Sequence, residues 1–201
     1  MSSTGAQKKY RDRATRLKRA LAAEKRRYGG IDDGYGKRYL IGPLYALAGD
    51  FDLALAHYDW YEKECSDDVG EPVHYLWWAL SLYRTGGLEK ANARLLETMV
   101  QNVYLLPALL GFATVTHDMW HSSNREQPDY ISKIPPEFLP ELSERECLWI
   151  EGRLDTALFR RVKDEYISTY RLLKSEESFD KRCAVLRRWA KFWADAASGR
   201  L

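Results

Sequence analysis

Leu44-Tyr45-Ala46-Leu47-Ala48-Gly49-Asp50-Phe51-Asp52-Leu53-Ala54 recurs 37 residues later as Ser81-Leu82-Tyr83-Arg84-Thr85-Gly86-Gly87-Leu88-Glu89-Lys90-Ala91. In each copy a helix-compatible stretch runs into a glycine, and a second such stretch follows with a small residue, Ala54 or Ala91, at the same distance from it. A glycine between two periodic segments predicts a tight turn joining two helices, and the alanine lets those helices approach closely. Asp50 is placed to cap the second helix of the first copy, and Pro72 falls where the first turn of a helix favours proline. No segment sustains the alternation of a strand, so the expected fold class is all-α.

At Ile41-Gly42, Tyr45, Gly49, Phe51, Ala54 and Tyr58 the first copy resembles the tetratricopeptide repeat (TPR) family, and Trp78-Ala79, Leu82, Gly86, Leu88, Ala91 and Leu95 stand at the same places in the second. The spacing of 37 residues exceeds the family's usual length of about 34 and implies a short insertion between repeats. The resemblance covers residues 35–111, and Asn102, Tyr104, Pro107 and Leu109-Leu110-Gly111 resemble a segment that closes such repeats in some bacterial proteins. It implies a TPR-like α-α superhelix of about two repeats, whose first helices line a concave face for an extended peptide or a partner helix. Tyr39, Pro43, Val73, Trp77, Tyr83 and Arg84 map to that face. Of these, Tyr39, Trp77, Tyr83 and Arg84 are the expected partner contacts, as aromatic and guanidinium groups commonly dominate binding energy. The same aromatics also suit a packed core. The Lys and Asn positions with which some members clamp a C-terminal carboxylate are not matched. Two repeats fall short of the three or so usually needed for stability, so flanking helices must cap them.

The N-terminal flank is cationic. Residues 1–27 hold Lys8, Lys9, Arg11, Arg13, Arg16, Lys18, Arg19, Lys25, Arg26 and Arg27 against Asp12 and Glu24, a net +8, while residues 28–155 carry −11 and residues 156–201 carry +5. Tyr10, Ala14, Leu17, Leu21 and Tyr28 form a narrow helical stripe. A basic helix beside an acidic middle either docks on its own chain or reaches an external anion, nucleic acid among them. The stretch Gly29-Gly30-Ile31-Asp32-Asp33-Gly34-Tyr35-Gly36 then breaks the helix and predicts a hinge. The organisation read from these features is a basic helix and hinge over 1–34, TPR-like repeats over 35–111, and a proline-containing loop with a helical cap over 112–201.

In that last part, Pro128, Pro135, Pro136 and Pro140 interrupt residues 114–142, which read as an ordered loop with short helical turns. Ser143-Glu144-Arg145-Glu146 has the capping-box spacing and opens a helix. Asp155 begins the next, with Phe159, Val162, Tyr166, Tyr170 and Leu173 on one face, and a final helix presents Phe179, Cys183, Leu186, Trp189 and Trp193 on its apolar side.

Chemistry-bearing spacings are scarce. The chain of 201 residues lacks a G-x-S-x-G elbow, an H-E-x-x-H pair and a C-x-x-C pair. Arg38 stands where a phosphate loop ending Gly36-Lys37 would need Ser or Thr. His117 and His121, expected on one face of a helix with Asp118 or Asn124 nearby, are the best metal candidates but form only half a site. His57 and His74 are expected to pack within the repeats, and Asp32-Asp33 and Asp67-Asp68 to cap or solvate turns. The three cysteines, Cys65, Cys147 and Cys183, are far apart and odd in number, which predicts free thiols in a reducing compartment. No apolar run reaches membrane-spanning length and no signal-like apolar region follows the basic start, so the cytoplasm is the expected location. The expectation is a non-enzymatic adaptor or regulator, inhibitor and immunity-like proteins included, that binds another protein without cofactor or metal. The alternative is a nucleic-acid-associated protein acting through the ten cations of its arm.

Overall fold

The computed structural model describes residues 4–31, 33, 34 and 36–200. Among them are ten α-helices and no strand, and no helix is long and apolar enough to cross a membrane. The chain divides into two units, Met1–Arg94 with Pro136–Pro140, and Leu95–Pro135 with Glu141–Leu201.

The first unit holds α1 (Gly5–Tyr28), α2 (Lys37–Leu47), α3 (Phe51–Glu64), α4 (Pro72–Arg84) and the start of α5 (Leu88–Gln101). The two sequence copies fold alike. α2 and α4 end 37 residues apart, and α3 and α5 begin and end 37 residues apart. Gly49 and Gly86, the glycines that align, take left-handed φ values of 78° and 86°, a conformation that a Cβ disfavours. Ala54 and Ala91 are fully buried. Asp50 departs from its expected role: its φ/ψ of −92°/64° lies off the extended region from which a cap reaches back, and its side chain makes no cap bond. Its carboxylate holds Arg11 instead.

α1 opens on a capping box between Thr4 and Gln7 and packs along α2, burying Ala14 and Leu21. Tyr10 and Leu17 of the expected stripe are half-buried, whereas Tyr28 is 66% exposed. Gly29 ends the helix in a left-handed conformation. Beyond it the glycine-rich stretch is anchored by buried Asp33, whose carboxylate accepts from the Lys37 and Arg38 main-chain N–H groups at 2.7 Å each. These donors at a helix start have no partner within the helix. Asp32, the other half of that acidic pair, and Tyr35 lie outside the described residues.

The meeting point of α2, α3 and α4 follows from two adjacent residues. A Cβ at Gly42 would run into the fully buried Tyr58 ring, so only glycine lets α3 come this close. Pro43, inside α2, offers no N–H to the Tyr39 carbonyl four residues back and crowds it with its ring. His74 of α4 supplies the missing donor, its Nδ1–H reaching that carbonyl at 3.2 Å. His57 of α3 likewise donates Nε2–H to the Arg38 carbonyl at 2.8 Å. Around His74 stand Tyr61 and Tyr58, with ring centroids at 4.5 and 4.9 Å, and Tyr58 stacks on Trp78 at 5.0 Å.

The second unit holds the end of α5, α6 (Leu105–Leu109), α7 (Tyr130–Lys133), α8 (Glu144–Leu154), α9 (Ala157–Ser175) and α10 (Phe179–Ala197). The Ser143–Glu146 capping box forms as expected, but Thr156 rather than Asp155 caps α9, Asp155 closing α8 instead. α9 and α10 pack together and bury Phe159, Val162, Tyr166, Leu173 and Trp189. Phe179 and Leu186, expected on the buried side of α10, are 77% and 40% exposed. The loop preceding α7 is ordered by buried Asn102, whose Nδ2 donates to the Arg125 and Gln127 carbonyls at 2.6 and 3.1 Å. Cys65, Cys147 and Cys183 are free thiols, each half-buried.

Both first-unit imidazoles are held neutral. Burial takes His57 from 6.5 down to about 4, with Lys18 adding to the shift against the Arg38 carbonyl, and takes His74 to about 3, with His57 adding to it. A depressed histidine binds its proton more readily in the unfolded chain, so this stability is present above pH 6.5 and lost as pH falls toward the folded values. The unfolding free energy of the first unit is expected to drop by about 3–4 kcal/mol between pH 7 and pH 5, and by about half as much in His57→Asn, in urea titrations at the two pH values. His74→Phe is expected to cost about 1–3 kcal/mol by leaving the Tyr39 carbonyl unpaired. In a Pro43→Ala background, where a main-chain N–H is restored to that carbonyl, the cost is expected to shrink, giving a double-mutant coupling of about 1 kcal/mol.

Candidate functional site

Trp77 lies in the middle of α4 and is only 2% exposed. Its Nε1–H donates to the Phe138 carbonyl at 2.8 Å. Phe138 belongs to Pro136–Pro140, the short segment that joins the first unit although it is distant in sequence. The segment begins as a 3₁₀ turn over Pro136–Phe138. Phe138 is itself buried, with the Arg13 guanidinium of α1 over its ring at 5.6 Å and Glu137 at 4.0 Å from the same guanidinium. Exposed Arg84 lies 5.6 Å from the Trp77 indole and 5.7 Å from the Phe51 ring. A residue pattern of Arg, Phe, Trp, Arg, Phe thus runs across α1, the segment, α4 and α3.

Of the four expected partner contacts, the structure brings Trp77 and Arg84 together. Tyr83 beside them is half-buried. Tyr39 is buried and belongs to a separate polar cluster. There its hydroxyl donates to Asp68 at 2.7 Å and accepts from Arg38 Nη2 at 2.9 Å, while Arg38 Nε reaches Asp68 at 2.6 Å. Burial pushes the Asp68 carboxyl up, but the bonds from Arg38, Tyr39 and the Gly70 N–H outweigh it and hold it below the usual carboxylate range. Burial also opposes the Arg38 charge, and Asp68 and Tyr39 more than offset this. Both groups keep fixed charges near neutral pH, so the cluster acts as a clamp between the start of α2 and the turn before α4.

The cations of α1 divide into two sets. Arg11 pairs with Asp50, Lys25 with Glu64, and Arg13 faces Glu137, so part of the arm is neutralised by its own chain. Lys8, Lys9, Arg16, Lys18, Arg19, Arg26 and Arg27 are exposed and meet no described carboxylate. His117 and His121 do not share a helix face: residues 112–118 have no regular structure, and both rings lean on Tyr104, at 5.7 and 6.2 Å. Among the described residues no three His, Cys, Asp or Glu side chains gather as metal ligands would.

Phe138 is the site residue that periodicity could not find. Its signal was compositional, an aromatic between prolines in an otherwise polar loop. The chain matches no protein-family model, no curated protein and no solved structure.

Trp77→Ala is expected to lower the unfolding free energy by about 3–5 kcal/mol, as a fully buried aromatic does. Arg84→Ala is expected to cost clearly less than Trp77→Ala, because its side chain is exposed rather than buried. Urea denaturation followed by circular dichroism checks both.

Proposed function

We propose that this chain is a non-enzymatic interaction module, a TPR-like adaptor whose first unit takes an extended, proline-flanked aromatic segment of a partner protein beside Trp77. The carrying observation is the seat of Pro136–Pro140: a main-chain carbonyl on the Trp77 indole and an aromatic side chain under Arg13. These are the two devices of peptide recognition, a side-chain hydrogen bond to the peptide backbone and a pocket for one anchor residue. The repeated helix–turn–helix copies are consistent with the TPR-like reading, and Arg84 borders Trp77. The chain's own segment is then an internal occupant that a partner displaces.

A fluorescent peptide with the sequence of residues 134–140 tests this against the full chain. Phe138→Ala empties the seat, so this variant is expected to bind the peptide at least tenfold more tightly than the native chain. Adding Trp77→Phe, which keeps the ring but removes the donor, weakens that binding about fivefold, the worth of one hydrogen bond. A natively helical Phe138→Ala chain that binds no peptide overturns the reading. The second reading, nucleic acid on the arm, rests on its seven exposed, unpaired cations. An oligonucleotide bound with a steep inverse salt dependence in the same assay is its signature.

A further inference from the structure

Between α1, α2 and α3 of the first unit lies a cleft of about 380 Å³. Its walls are apolar: Leu21 and Ala22 from α1, Ile31 from the connection, Ile41 from α2 and the Trp60 indole from α3. His57 completes them with its Nε2–H already committed to the Arg38 carbonyl and its ring stacked on Trp60 at 5.1 Å. The remaining lining residues are Lys18, Lys25 and Arg26, and no described carboxylate lines the cleft. From Lys18, the offsets of three, four, seven and eight put Leu21, Ala22, Lys25 and Arg26 on one helical face. The same side of α1 therefore supplies both an apolar wall and a cationic rim. Lys25 is paired with Glu64, whereas Lys18 and Arg26 are exposed and meet no carboxylate. Uncompensated positive charge thus stands beside a wall that offers little to a polar ligand.

We propose that this cleft binds a fatty-acid-like monocarboxylate, its tail against Ala22, Ile31 and Trp60 and its carboxylate between Lys18 and Arg26. The chemistry selects that class. A nucleotide or sugar would bury polar edges against walls without donors, an organic cation would be repelled at the rim, and a neutral hydrocarbon would leave the rim unused. At roughly 30 Å³ per heavy atom, the share of a water molecule in the liquid, the volume holds about a dozen atoms, the size of decanoate. It lies near the lower end of the roughly 300–1,000 Å³ range of small-molecule sites.

Titration calorimetry of sodium decanoate into the full chain, below its micelle concentration, tests the proposal. One site is expected, with a dissociation constant on the order of 100 µM. Ala22 is exposed on α1, so Ala22→Trp fills the cleft without disturbing the core and is expected to weaken binding at least tenfold. The double variant Lys18→Glu, Arg26→Glu, with an unchanged melting temperature, is expected to do the same. Decyltrimethylammonium is expected not to bind the native chain. Absence of decanoate binding, equal binding of the cationic analogue, or decanoate binding that survives both variants each overturns the assignment.

Discussion

Pro43 removes the main-chain donor that the Tyr39 carbonyl would meet inside an α-helix, and its ring crowds the same oxygen. A buried carbonyl without a partner is costly, so another donor has to arrive from outside α2. His74 supplies it, and that bond ties α4 to α2. It also decides the state of the imidazole: a carbonyl only accepts, so Nδ1 carries the proton, and Nε2 is left buried without a partner. Protonating Nε2 would place a charge among Tyr58, Tyr61 and Trp78, which is why burial drives the group so far down. The neighbouring Gly42 completes the arrangement by letting the Tyr58 ring lie against the bare backbone.

With α2 fixed in this way, its other side is available to α1. Hydrophobic contact there is thin, Ala14 and Leu21 being the buried residues of a helix 24 residues long. Charge complements it. Arg11, Arg13 and Lys25 meet Asp50, Glu137 and Glu64, while Glu24 of α1 holds Lys37. Most of these partners are partly exposed, where an ion pair contributes about 0–1 kcal/mol. They set the register of α1 more than its affinity. The outward cations have no such duty, which leaves them for a ligand at the Lys18–Arg26 rim or for an external polyanion.

The helices were legible because helical periodicity and glycine punctuation are local: Gly49 and Gly86 mark turns, Ala54 and Ala91 mark close contacts, and Ser143–Glu146 marks a helix start. The candidate site was legible only in part. Trp77 and Arg84 do lie together, but Tyr39 was drawn instead into a clamp with Arg38 and Asp68, partners that no spacing rule pairs. Nothing local told Phe138 that its seat is on α4, 61 residues away, or told His74 that a proline on another helix needed its N–H. Asp50 misled because the residue type that caps a helix also pairs with arginine, and Phe179 because an apolar stripe declares a face without declaring what covers it. Long-range pairing is chosen by competition among many such groups, and the winning partner is not written beside either residue.

The strength of the internal occupant constrains any partner on the proposed reading. Burying one phenylalanine side chain contributes about 1.5–3 kcal/mol, one hydrogen bond about 1, and the Arg13 contacts about 1 between cation–π and ion pair. A free peptide making the same contacts forms them without a tether, and at about 1 µM against a tethered competitor at an effective concentration of about 1 mM it starts roughly 4 kcal/mol behind. Displacement therefore requires contacts beyond the footprint of Pro136–Pro140. The adjoining surface includes the Arg84 guanidinium, set against the Trp77 and Phe51 rings. A segment with only that footprint gains nothing over the tethered one, so on the proposed reading selectivity on this face comes from the length of the incoming segment and from the contacts it adds around the Trp77 seat.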